Sequence, residues 1–179
     1  GFNAGDIVNS VAPNEGCDGS IGVFADNPVL DMGNEAMVFD SSNPTGGDVD
    51  LGTPNNFYGG PGISAEGPQE SNDTALGNVL IITEDGDASD PDDSYVSGSY
   101  YAFDFSAYGS GAVTLYGFDM LDLDGEGAGG ASTTVTLYDA ADAELFSATI
   151  PPGEDNNKQW VDLGATQGVV KMVIDLNNS

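Results

Sequence analysis

The stretch from Val38 to Pro54 reads VFDSSNPTGGDVDLGTP, and the rest of the chain is organised around it. A short strand, Ala36 to Phe39, delivers Asp40 into a turn built of Ser41, Ser42, Asn43, Pro44, Thr45, Gly46 and Gly47. Pro presets φ and paired Gly accepts positive φ, so the turn is tight. The chain then returns with Asp48 and Asp50. In an extended segment, residues i and i+2 point to one side. The pattern therefore predicts that Asp48 and Asp50 converge, with Asp40 arriving from the other limb. Carboxylates held that close repel unless a cation sits between them, and an all-oxygen set suits a hard ion, Ca2+ before Mg2+. The plain alternative is a solvated acidic turn.

Outward from this loop, the pattern repeats. Asn78 to Thr83, NVLIIT, is an unbroken β-type run that reads as a central strand buried on both faces. It ends in Glu84, Asp85, Asp87, Asp90, Asp92 and Asp93. That loop is either a solvated acidic surface or ion-binding; the rigid strand end favours ion binding, by Glu84 and Asp85 above all. A third run, Ala112 onward, ends in Asp119, Asp122, Asp124 and Glu126, again acids spaced two apart after a strand. An EF-hand is excluded, because no helix frames this loop and the terminal Glu is misplaced. Asp87, Asp122, Asp124 and Glu126 join Asp40, Asp48, Asp50, Glu84 and Asp85 as candidate metal ligands. The sequence points to more than one ion.

The remaining elements are also strands. Short strands are expected around Ile7-Val8 and Ile21 to Phe24. Tyr101, Phe103 and Phe105 alternate with Tyr100, Ala102 and Asp104. Val135 to Leu137 and Leu145 to Ile150 form a hairpin around Ala140 to Ala143. Lys158 to Leu163 and Val169 to Leu176 complete the set, the last with strict alternation of Val170, Met172, Ile174 and Leu176. Helical periodicity is nearly absent. Nine or ten short strands with turn-rich links predict an all-β chain: an antiparallel β-sandwich, jelly-roll-like, with long calcium-binding loops. Between Gly52 and Gly77 lies a long loop in which Phe57 and Tyr58 either wall a ligand groove or cap the core.

Composition bounds the function. The chain has 179 residues, enough for a single domain, residues 1–179. It carries 30 acids against two cations, Lys158 and Lys171, for a net charge of -28. A basic nucleic-acid face and a polybasic membrane patch are excluded. No apolar run has membrane-spanning length, so direct membrane insertion is not expected. There is no His, which removes Ser-His-Asp and Cys-His chemistry and imidazole-bound zinc. The single Cys17 builds neither a thiolate cage nor an internal disulfide; it reads as a small buried residue rather than a reactive thiol. A compact chain this acidic repels itself, so bound divalent cations, external salt or both must offset the repulsion. The absence of a signal peptide and of an initial Met suggests a domain excised from a longer protein. No internal repeat and no nonapeptide calcium-roll pattern is present.

The motifs EAMVFDSSNPTGGDVDLGTP (Glu35 to Pro54) and GNVLIITEDGD (Gly77 to Asp87) resemble those of a calcium-dependent β-sandwich domain recurring in large secreted bacterial proteins. More narrowly, from Gly33 to the C-terminus the chain is similar to the peptide-binding domain of long bacterial RTX adhesins. The resemblance implies a cell-adhesion and biofilm role, extracellular and at the cell surface. It implies a calcium-containing groove that holds the C-terminal peptide of a host or neighbouring-cell surface protein. By motif match, Asp40, Asp48, Asp50, Glu84 and Asp85 would bind calcium and, through it, the ligand. A monomeric, non-enzymatic binding module is expected. A calcium-dependent carbohydrate-binding, lectin-like module is the alternative; its sign would be exposed aromatic platforms, whereas the lone Trp160 is expected to pack with the final strands. A glycoside hydrolase, which needs two carboxylates about 5 to 10 Å apart in a cleft, ranks last, since no basic residue stands near the acids to tune them.

Overall fold

The structure, a computed structural model, describes residues 1–12, 18–64, 72–94, 96–123 and 133–176. The chain is all-β, and its paired strands run antiparallel. Among the described residues, ten strands follow in order: β1 (Ser10–Val11), β2 (Ile21–Asp26), β3 (Ala36–Asp40), β4 (Asn78–Ile82), β5 (Ser99–Asp104), β6 (Val113–Leu121), β7 (Thr133–Tyr138), β8 (Glu144–Ile150), β9 (Lys158–Val169) and β10 (Lys171–Leu176). Two 3-10 turns, Val49–Leu51 and Asn56–Tyr58, interrupt the link from β3 to β4.

Six strands form one sheet in the order β1-β2-β5-β10-β7-β8. The pairs β3-β4 and β6-β9 lie against it, as in a β-sandwich. Alternation in the sequence explains the packing. On β10, Met172 and Ile174 point inward beside Val135 and Leu137 of β7 and meet Val161, Leu163 and Val169 of β9. At the other end, Ala36 and Val38 of β3 and Ile82 of β4 meet Val23 and Ala25 of β2. Tyr101 and Phe103 of β5 pack against both groups and join them into one core.

The β3-β4 hairpin is buried on its second face as well. Met37, Phe39 and Ile81 are covered there by Leu51 from the long loop. β4 therefore has the two-sided burial its composition predicts, but only over Ile81 and Ile82, and it pairs as a strand with β3 alone. The flanking segments extend the ladder. Gly5 and Val8 bond to β3, and Ser94 donates to the carbonyl of Ile82 (2.8 Å). Ile7 forms a single bridge to Met37, where a short strand was expected.

Two expectations fail here. Residues 48 to 51 are not extended: Asp48 caps a 3-10 turn, because Leu51 must fold back onto Phe39. Trp160 does not pack with the final strands. It stands on the outer face of β9, 59% exposed, because its neighbours Val161 and Leu163 take the inward positions.

Candidate functional site

The loop after β3 is pinned at its base. Ser41 and Thr53 share a hydrogen bond of 2.5 Å between hydroxyls, and Ser41 also donates to the carbonyl of Gly77 (2.6 Å). From there the loop reaches across to the acidic loop after β4. The Thr45 hydroxyl donates to the Pro91 carbonyl (2.8 Å), and the Gly46 N–H donates to Asp90 Oδ1 (2.8 Å). The Asp93 N–H donates to Asp48 Oδ2 (2.7 Å). Gly46 is required at this contact. Its φ is +67°, and a Cβ would collide with the side chain of Asp92.

This docking presses carboxylates together. Burial, followed by the charges of Asp48, Asp122, Asp50 and Asp92, pushes Asp93 up to about 8. Burial, then Asp85, Glu84, Asp48 and Asp90, pushes Asp92 up to about 6. Asp48 is raised in the same way by burial, with Asp50 and Glu84 adding, against the bond from Asp93. Asp92 Oδ1 is closed to solvent and accepts no hydrogen bond.

Asp93 links this group to a second one. Asp50, Asp122 and Asp155 each offer a carboxylate oxygen within 4.8 Å of the others. Asn156, with φ +60°, fixes their geometry. Its N–H donates to Asp122 Oδ1 (2.6 Å). Its side chain donates to the carbonyls of Asp50 and Gly52, the latter at 2.8 Å, and accepts from Asn55 Nδ2 (2.8 Å). Asn156 is fully buried, and its bonds with Asn55 and Gly52 are held away from water. Ligand oxygens around Ca2+ lie 2.3 to 2.6 Å from the ion, so about 5 Å separates the farthest pair. The oxygens of Asp50, Asp122 and Asp155 lie within that limit.

The predicted residues divide accordingly. Asp48, Asp50 and Asp122 stand in the acidic assembly. Glu84 and Asp85 lie at its rim, where their charges bear on Asp92. Asp85 and Asp87 are occupied locally: Asp85 accepts from the Asp87 N–H (2.7 Å), and Asp87 accepts from the Ser89 N–H and hydroxyl (2.8 and 2.7 Å). Asp40 does not share a site with Glu84 and Asp85. It pairs with Asn78 while Ala36 pairs with Ile82, so the ladder places it about 13 Å away at the opposite end, four residue steps off. Its carboxylate caps its own turn at the Ser42 N–H (3.0 Å). Phe57 and Tyr58 do not cap the core. They are 64% and 47% exposed and meet edge to face at 5.2 Å. Asp124, Glu126 and Cys17 lie outside the described residues.

Asp93, Asp155 and Asn156 were not among the predicted ligands. Asp155 and Asn156 sit in GEDNNK before β9, a turn resembling the acidic strand ends elsewhere in the chain. Both cations are engaged: Lys158 with Asp119 (3.1 Å) and Lys171 with Asp142 (2.6 Å). No family model matches the chain, and neither a curated protein nor a solved structure matches it significantly.

Proposed function

We propose that this chain is a calcium-dependent ligand-binding module of an extracellular bacterial adhesin, and that its ligand is the C-terminal end of a partner peptide or protein. The observation that carries this reading is the convergence of carboxylates from four loops: Asp50, Asp122 and Asp155 meet within 4.8 Å beside Asn156, and Asp48 and Asp93, joined to each other, bear on them from the adjoining group. Such an assembly repels itself unless it takes up protons or divalent cations sit within it, and only the cation lets every carboxylate stay ionised. The calcium-binding role of these loops, and a jelly-roll-like wiring of the sandwich, belong to the same proposal.

Calcium also accounts for how so acidic a molecule could hold a carboxylate. With net charge -28, and with both lysines paired to aspartates, the protein has no cation of its own to offer. Calcium accepts six to eight oxygens, more than three aspartates supply, which leaves positions for water or ligand oxygen. The exposed Phe57–Tyr58 pair lies on the loop that Asn55 ties to Asn156, and in this proposal it meets the residues preceding the bound carboxylate. The test compares peptides ending in a free carboxylate with the same peptides amidated, by calorimetry with calcium and with chelator. Binding is expected only for the free carboxylate and only with calcium. Binding that survives amidation, or chelation with the fold intact, contradicts the proposal.

A further inference from the structure

The outer face of the β6-β9 pair carries two large exposed rings, Trp160 at 59% and Tyr116 at 67%. Their exposure is built into the strands. Leu115 and Phe118 of β6 both point into the core, so the alternation slips by one residue between them. The slip coincides with a register shift between Leu115 and Gly117. A bulge of this kind re-aims side chains, and here it turns Tyr116 and Gly117 outward together. Gly117 pairs with Asp162, and Asp119 pairs with Trp160. The benzene ring of the indole lies over Gly117, where a Cβ would collide with Cε2 and Cζ2. Glycine thus provides the seat on which Trp160 rests, with most of the ring open to solvent.

We infer that Trp160 and Tyr116 form a binding platform for a neutral saccharide. The immediate setting selects this class of ligand. At 59% and 67% exposure the two rings together offer roughly 200 to 300 Å2, well below the 800 Å2 or so per partner of a stable protein interface. Their surroundings are polar rather than apolar. Asp119 and Asp162 share the outer face, and Lys158 is paired to Asp119 at 3.1 Å. A pyranose presents an apolar C–H face to an aromatic ring and hydroxyl donors at its edge. The carboxylates of Asp119 and Asp162 are acceptors for those donors. Asp162 spends Oδ1 on the Gly164 N–H (2.8 Å) and keeps its second oxygen for a ligand. Anionic polysaccharides are disfavoured by the charge of -28 and by these two aspartates. The platform does not use the acidic loops, so it stands independently of the calcium proposal.

Trp160 is the only tryptophan, so the intrinsic fluorescence of the folded protein reports on this one place. The probes are cellohexaose, mannohexaose, xylohexaose, maltohexaose and chitohexaose, each titrated to about 10 mM, since millimolar affinity is expected for a two-ring site. At least one should quench or shift the emission saturably, with calcium present or replaced by another stabilising condition. By calorimetry, Trp160→Ala should weaken that binding about tenfold or more, and Tyr116→Ala should weaken it less, with melting temperatures near the parent. Trp160→Phe should retain part of the affinity, which a loss of folding would not produce. No response to any of the five probes overturns the inference, and so does undiminished binding by Trp160→Ala. Binding abolished by chelation while the fold persists would place the sugar at the acidic loops and overturn it too.

Discussion

Asp93→Asn should stabilise the calcium-free protein while removing much of its response to calcium. In the folded, ion-free chain the Asp93 carboxyl is pushed from its ordinary 3.8 to about 8 by burial and by Asp48, Asp122, Asp50 and Asp92. At pH 7 it is therefore mostly protonated when folded and ionised when unfolded. Holding that proton costs about 1.4 kcal/mol for each pH unit between 3.8 and 7, a ceiling of ~4 kcal/mol. The charges acting on it, those of Asp48, Asp122, Asp50 and Asp92, are only half-buried and partly screened, so about 1 to 3 kcal/mol is the expected gain. An amide there needs no proton and can still donate to Asp48. For 179 residues, each kcal/mol corresponds to about 2 to 4 °C, so the melting temperature in chelator should rise by about 2 to 12 °C. With calcium at a hundredfold excess over Kd, the parent should gain about 2.7 kcal/mol and the variant clearly less. Calorimetric melting of both proteins, with chelator and with calcium, decides the matter. A variant that melts lower in chelator, or that gains as much from calcium as the parent, refutes the reasoning.

Further outcomes follow from the same geometry. Asp92 and Asp93 hold protons more tightly folded than unfolded, so without calcium stability should fall as pH rises from about 4 to 6 for Asp92 and on to about 8 for Asp93. Denaturation in chelator across pH 4 to 9 checks the sign, and stability rising over this window contradicts it. Asp48→Ala should lower the calcium-loaded melting temperature and the calcium affinity, whereas Asp31→Ala, at an exposed site, should stay within about 0.5 kcal/mol of the parent. Asn156→Gly keeps the positive φ without strain but removes the side-chain bonds to Asp50, Gly52 and Asn55; a loss of about 2 to 4 kcal/mol in urea unfolding is expected. A cost under about 0.5 kcal/mol would show that the hub does not hold the loops together.

Much of the fold was legible because strand burial leaves period-two patterns. Val135 and Leu137 of β7, and Met172 and Ile174 of β10, alternate in sequence and are buried in fact. The hairpin from β7 to β8 turns at the small residues that mark it. Loop conformation was less legible. Asp48 and Asp50 look like neighbours on an extended segment, but burial of Leu51 folds them into a 3-10 turn and aims them at different partners. The meeting of Asp50 with Asp155 is set by tertiary docking through Asn156, for which local patterning carries no signal. Asp40 was misplaced for a related reason. A hairpin separates the two ends of its ladder, and closeness to Asp48 along the chain does not bring it to the far end. Trp160 was recoverable in principle. Val161 and Leu163 claim the inward positions, and polar Asp162 marks the outward side on which Trp160 falls.

The most direct test of the central claim is the melting temperature of the unmodified protein in calcium, in chelator, and in chelator with molar sodium chloride. If the loops hold calcium, chelation lowers the melting temperature by many degrees, high salt fails to restore it, and added calcium restores it fully. If salt alone rescues the chelated protein, the acids are a salt-adapted surface, and the assembly at Asp48, Asp93, Asp50, Asp122 and Asp155 is not an ion site.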